Sequence, residues 1–235
     1  MKTKVILFDL DGTLLPMDQD VFVKAYFWGI AKRLASHGYE PNALIDSIWK
    51  GTYAMIKNDG KKKNEEVFWD FFASVFGERA RADEPKFERF YIEDFDKVQD
   101  SCGFTPKAAT TVAALRAKGF RLALATNPIF PSIATEKRMK WAGLDKNDFE
   151  LFTTYENSRY CKPNLEYYKD ILAQLGVQAE ECLMVGNDVS EDMVAERLGM
   201  KVFLMPACLL NKDNKDVSGY PQGDFDDLLA YVDSL

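Results

Sequence analysis

The chain has 235 residues, enough for one large domain or for a core carrying an insert at roughly 150 residues per domain. Thirty Lys and Arg stand against 37 Asp and Glu, and the resulting charge of −7 repels nucleic-acid phosphates and anionic membrane surfaces. The composition, 47% hydrophobic and 29% charged, is that of a folding globular chain, and no apolar run nears the roughly 20 residues that span a bilayer.

The first apolar run, Val5 to Phe8, is too short for the core of a secretion signal, so a cytoplasmic protein is expected. Its continuous apolar character, ending at Asp9, is that of a buried parallel strand. From about residue 16 to residue 100 the pattern changes to helical spacing without a convincing strand. Val23, Phe27, Ile30 and Leu34 share one face, then Ile45, Ile48 or Trp49, and Thr52; Val67 or Phe68, Phe71 or Phe72, and Val75 follow, then Phe87, Tyr91, Phe95 and Val98. Gly38 with Pro41, Asp59-Gly60 and Gly77 punctuate these four predicted helices, which short connections arrange as an antiparallel bundle. Tyr26, Phe27, Trp28, Trp49, Phe68, Trp69, Phe71 and Phe72 are expected in its core, with Lys61 to Lys63 at a solvated loop tip and His37 at a helix end.

Beyond residue 100 strands and helices alternate. Predicted strands run over Arg121–Ala125, Cys182–Val185 and Lys201–Met205, with a weaker one over Leu151–Thr154. Between them, predicted helices span Thr105 to Gly119, Pro131 to Trp141, Asn164 to Leu175 and Ser190 to Leu198, each opened by a capping or proline signal or closed by glycine. Alternation of this kind implies an α/β fold, a parallel sheet with helices on both faces, built from residues 1–15 and 101–235 and interrupted by the helical insert 16–100. Cys102, Cys161, Cys182 and Cys208 are scattered without CxxC pairing and read as reduced thiols.

Open parallel sheets bind ligands beyond the carboxyl ends of their strands, so these positions are read for chemistry. They carry Asp9-Leu10-Asp11-Gly12-Thr13, Thr126-Asn127, Lys162-Pro163 and Gly186-Asn187-Asp188 with Asp192. Carboxylates gathered in a partly dry site must protonate or bind a cation, and oxygen-only ligands favour magnesium, which keeps room for water and a phosphate oxygen. Lys162, Thr126 and Asn127 supply donors suited to the other phosphoryl oxygens.

These four segments, in this order, resemble the motifs of the haloacid dehalogenase superfamily of phosphohydrolases, and the likeness extends over nearly the whole chain. It implies a Rossmann-like three-layer core whose helical-bundle insert is a cap, as in phosphoglycolate phosphatase-like members. By this resemblance Asp9 is the nucleophile that forms an aspartyl-phosphate, and Asp11 is the acid/base that protonates the leaving oxygen and then activates water. Asp9, Asp188 and the Asp11 backbone carbonyl would hold Mg2+; Thr126, Asn127 and Lys162 would bind the phosphoryl group, with Lys162 also neutralising the nucleophile. Thr13, Asn187 and Asp192 would support them, Asp192 through Lys162 or the metal's outer shell. Where many relatives carry Gly-Asp this chain carries Gly186-Asn187, leaving two spacings, Asn187 with Glu191 or Asp188 with Asp192. The second is preferred, because two carboxylates four residues apart share a helix face. The implied activity is hydrolysis of a small phosphorylated metabolite by a monomer or homodimer. Alternatives are a phosphotransferase or mutase, a dehalogenase of the same fold, which would need neither Asp11 nor a metal, and a catalytically silent binding protein.

Overall fold

Val5–Phe8 forms the central strand, β1, of a five-stranded parallel sheet in the computed structural model, which describes residues 2–235; Met1, the first residue of the expected core segment 1–15, lies outside them. The other strands are β2 (Arg121–Leu124), β3 (Leu151–Phe152), β4 (Cys182–Gly186) and β5 (Lys201–Leu204), in the spatial order β3-β2-β1-β4-β5. Each expected strand is present, the weak one as a two-residue edge strand. All of β1 and β4 is buried because both faces of the sheet are covered. Ile6, Phe8, Leu122, Leu124, Leu183, Val185 and Phe203 point to one face; Val5, Leu7, Ala123, Met184, Val202 and Leu204 point to the other, the period-2 alternation of a strand.

Insert helices are α1 (Gln19–Ala35), α2 (Pro41–Ile56), α3 (Asn64–Phe76), the single turn α4 (Arg79–Ala82) and α5 (Glu84–Glu93); core helices are α6 (Pro106–Ala117), α7 (Ser132–Trp141), α8 (Leu165–Leu175) and α9 (Phe225–Asp233). The first sheet face packs on α6, α7 and α9 and is continuous with the apolar interior of the insert. The second packs on α8 through Tyr167, Tyr168, Ile171 and Leu175, completing three layers. Local chemistry sets the helix ends. Asp18 accepts from the N–H of Asp20 and Val21, Asn164 from that of Glu166, and Gly176 closes α8 at φ +65°, where a side chain would be strained.

Three expectations need correction, and one helix lies outside them. The predicted helix over Phe87–Val98 breaks at Asp94, whose carboxylate pairs with Arg33 and Lys97, and continues as a 3-10 segment, Phe95–Ser101. α9 was not predicted, although Asp224 and Asp227 form a capping box at its start. Trp28 is 65% exposed on the same outer stripe of α1 as Val21, with Lys32 over its ring, rather than in the bundle core, and Trp49 is half exposed. The helix expected over Ser190–Leu198 is only a 3-10 segment, Met193–Leu198; ahead of it the Val189 N–H is drawn to the Leu210 carbonyl and both Asp192 and Met193 N–H groups turn to the Asp188 carbonyl, so the segment stays a turn. Among the described residues no helix is long and apolar enough to cross a membrane.

Candidate active site

Register builds the site. Phe8 lies opposite Leu124 on one side and Val185 on the other, so Asp9, Thr126-Asn127 and Asn187-Asp188 leave the sheet at one edge. Strand order reverses there, between β1 and β4, the place where open parallel sheets hold ligands. A cavity of about 620 Å³ opens at this edge, with Asp9, Asp11, Thr126, Asn127, Asp188 and Glu191 on its floor and aromatic side chains of the insert above.

Lys162, delivered by the loop before α8, is 1% exposed and donates to Asp9 Oδ1 at 2.9 Å and to Asp192 Oδ1 at 2.6 Å. Burial alone would lower its pKa, but the carboxylates of Asp192 and Asp9 outweigh that cost and hold it well above the ordinary lysine value, so the ammonium stays charged. Thr13 Oγ1 lies 3.2 Å from Asp9 Oδ2 and 3.0 Å from Asn187 Oδ1, tying the nucleophile candidate to the loop after β4. The Asn187 amide in turn donates to the Cys208 carbonyl at 2.7 Å. Both motif glycines are explained by close approach: at Gly12 (φ +87°) a Cβ would collide with the Asn187 side chain, and at Gly186 with the Asp192 carboxylate.

Asp188 and Asp192 do not share a helix face, since no helix has begun; a turn joins them, with the Asp192 N–H donating to the Asp188 carbonyl. Asp192 spends its oxygens inside the protein, one on Lys162 and one on the Asp188 N–H at 3.0 Å. Asp188 lines the cavity and gives Oδ1 to the Ser190 and Glu191 N–H groups. Asn127 does not point its amide freely at the cavity: Nδ2 donates to Glu191 Oε2 at 3.0 Å, and its Oδ1 is buried without a partner. Burial, opposed by Lys162 and reinforced by Asp188, Asp192 and Asp9, pushes Glu191 up to about 8. Thr126 is fixed through its carbonyl, which accepts from Thr153 Oγ1 at 2.6 Å and Tyr167 Oη at 2.9 Å.

Among the described residues no three His, Cys, Asp or Glu side chains are gathered for metal ligation. The expected set asks for two carboxylates and a backbone carbonyl, and the donors on the floor are oxygens only. Asp11 Oδ1 is buried with no hydrogen-bond partner, and Asp9, Asp188 and Glu191 line the same floor, an oxygen donor set that fits a hard cation.

Arg138 is the residue that sequence reasoning missed. It sits on the inward face of α7 with Ala134 and Trp141, four residues before and three after, is 1% exposed, and forms an ion pair with Asp11 Oδ2. Its guanidinium also lies 4.5 Å from the centre of the Phe130 ring. The available signal was a charge in line with apolar positions of an otherwise buried helical face. Asp11 is pulled two ways, raised by burial and by Asp9, lowered by Arg138; the balance leaves it above the usual aspartate value, suited to a group that must donate a proton. Arg138→Met should therefore destabilise the fold by about 3 kcal/mol, the lower end for breaking a buried pair because Asp11 keeps a fifth of its side-chain area exposed. Urea unfolding measures this, and a loss below 1 kcal/mol would show that the pair carries no structural weight.

Sheet, edge and helical roof together define a Rossmann-like α/β enzyme with a helical cap. The chain belongs to the family of haloacid dehalogenase-like hydrolases, whose model matches residues 3–198, in agreement with the resemblance carried by the four motifs. It is 27% identical over 206 residues to the phosphoglycolate phosphatase of Aquifex aeolicus (strain VF5), covering 86% of this chain and 84% of that protein. A pyrophosphatase of Halalkalibacterium halodurans is 23% identical over 91% of this chain and 88% of its own length. Among solved structures, the 2-haloacid dehalogenase of Pseudomonas syringae pv. tomato superposes with a TM-score of 0.66 at 19% identity, covering 99% of this chain and 98% of that one, a likeness of fold.

Proposed function

We propose that the chain is a magnesium-dependent phosphatase that hydrolyses a small phosphorylated metabolite through an aspartyl-phosphate on Asp9, with residues 16–100 as the cap over the site. The observation that carries this reading is Asp9, held by Lys162 and Thr13 on the floor of the cavity, with a second acid of raised pKa, Asp11, on the same floor. In the first step an Asp9 oxygen attacks phosphorus while the P–O bond to the alcohol breaks, and Asp11 gives its proton to the departing oxygen. In the second, Asp11 takes a proton from water, the water oxygen attacks the same phosphorus, and phosphate leaves as the Asp9 carboxylate is restored. Lys162 neutralises the nucleophile before attack and the phosphoryl oxygens during it, and the Thr126 hydroxyl and backbone donors near it orient them. Bound magnesium, held by Asp9, Asp188 and the Asp11 carbonyl, would supply charge neutralisation at a phosphoryl oxygen.

Release of inorganic phosphate from a panel of small esters should require magnesium and fall to background with a chelator. Calcium should not substitute, because its looser and higher coordination misplaces Asp9 for in-line attack. Undiminished release in chelator would refute the metal requirement.

A further inference from the structure

The cavity above Asp9 is electrically one-sided. Its upper wall carries Glu65 at the start of α3, Glu84 at the start of α5, and Glu156 from the loop after β3. Lys212, an exposed residue, is the one basic side chain on the cavity wall among the described residues. Of the basic side chains near Glu65 and Glu84 in sequence, Lys61 turns to Asp59, Lys62 and Arg81 to Asp70 and Lys86 to Asp83, while Lys63 stays exposed and only partly offsets Glu65. Glu65 is raised by its own burial and by the charges of Glu156 and Glu84 against an opposing pull from Lys63, and burial raises Glu84 against the charge of Arg81. Glu156 is partly served by the Ser132 N–H at the start of α7, at 2.8 Å.

A second observation is independent of charge. Trp69 lines the same cavity, is 3% exposed, and its indole N–H makes no hydrogen bond of normal geometry, its nearest polar neighbour being the Tyr155 hydroxyl. A buried donor of this kind is open to a ligand oxygen. Carboxylates beside aromatic faces are the chemistry that recognises an ammonium group, whereas a leaving group that is itself an anion meets repulsion. Glycolate and phosphate, the groups displaced from phosphoglycolate and pyrophosphate, are both anions.

We infer that the ester this cavity takes is an amine-bearing phosphate monoester, whose organic part carries a protonated amine and a hydroxyl or ring oxygen but no carboxylate or second phosphate. The inference rests on the phosphatase reading above. It deepens that reading by naming the class of leaving group.

Two matched pairs test it with magnesium present: glucosamine 6-phosphate against glucose 6-phosphate, and pyridoxamine 5′-phosphate against pyridoxine 5′-phosphate, with phosphoglycolate and pyrophosphate as anionic comparisons. In at least one pair kcat/KM should favour the amine by about tenfold, the size expected of a charged group meeting carboxylates and aromatic rings in a partly exposed wall. That ratio should fall towards one in Glu65→Gln with Glu84→Gln, and the anionic esters should rank below the neutral ones. Equal or lower kcat/KM for the amine in both pairs, or highest kcat/KM for an anionic ester, would overturn the inference while leaving the hydrolase intact. If no ester is turned over, the phosphatase reading fails on its own, and calorimetric binding of pyridoxamine and pyridoxine 5′-phosphate to the same protein then decides: tighter binding of the amine sustains the cationic subsite, and equal binding removes it.

Discussion

Replacing Asp9 by Asn is expected to reduce phosphate release to background with every ester, activated or not. The amide is nearly the same size, so the Lys162 and Thr13 contacts around it can be kept and the protein should still fold. What is lost is the proposed nucleophile, since an amide oxygen does not attack phosphorus at a useful rate. Asp11→Asn provides the contrast, because an acid/base contributes on the order of 10²–10⁴-fold and matters most where the leaving oxygen needs a proton. Its loss should be small with p-nitrophenyl phosphate and large with an alkyl phosphate. Steady-state phosphate release on both esters, alongside unfolding midpoints for both variants, separates the two roles. Turnover by Asp9→Asn within tenfold of the parent would exclude a covalent intermediate on that residue.

Lys162→Met should be the most destabilising single change at the site. Its ammonium stands between Asp9, 11% exposed at the side chain, and Asp192, 1% exposed, and its removal leaves two buried carboxylates facing each other. Removing one partner of a buried ion pair costs about 3–5 kcal/mol, largely because the remaining charge has no counterpart and no water. Adding Asp192→Asn to Lys162→Met should recover much of the stability, since the second uncompensated carboxylate disappears, yet phosphate release should remain lost because nothing neutralises Asp9 and the transferring group. Urea midpoints for the two single variants and the double variant give the coupling. A Lys162→Met protein within 1 kcal/mol of the parent would show that Asp192 is neutral in the folded state.

Local pattern was sufficient wherever the physics is local. Continuous apolar runs marked β1, β2, β4 and β5, since a strand buried on both faces has no polar side to show, and Pro106, Asn164 and Gly176 marked helix ends because capping depends on neighbours in the chain. The order of the motifs pointed to the family before any contact was known. Local pattern failed where a partner distant in sequence decides. Asp188 resembles the start of a helix, but the next N–H, that of Val189, pairs with the carbonyl of Leu210 and the segment stays a turn. Arg138 resembles a solvated helical charge until α7 is packed into the core on the first sheet face, which brings it to Asp11, 127 residues away in the chain. Trp28 and Phe72 look alike in the sequence; packing of α1 and α3 leaves one outside and buries the other. The floor of the candidate site has the same origin: Asp9, Lys162 and Asp192 meet because parallel pairing sets β1 beside β4 in register and α8 packs behind them, a geometry in which burial makes each charge depend on the other two. The acidic upper wall of the cavity is likewise tertiary, since Glu65, Glu84 and Glu156 come from three separate segments and share a field only once the insert rests on the core.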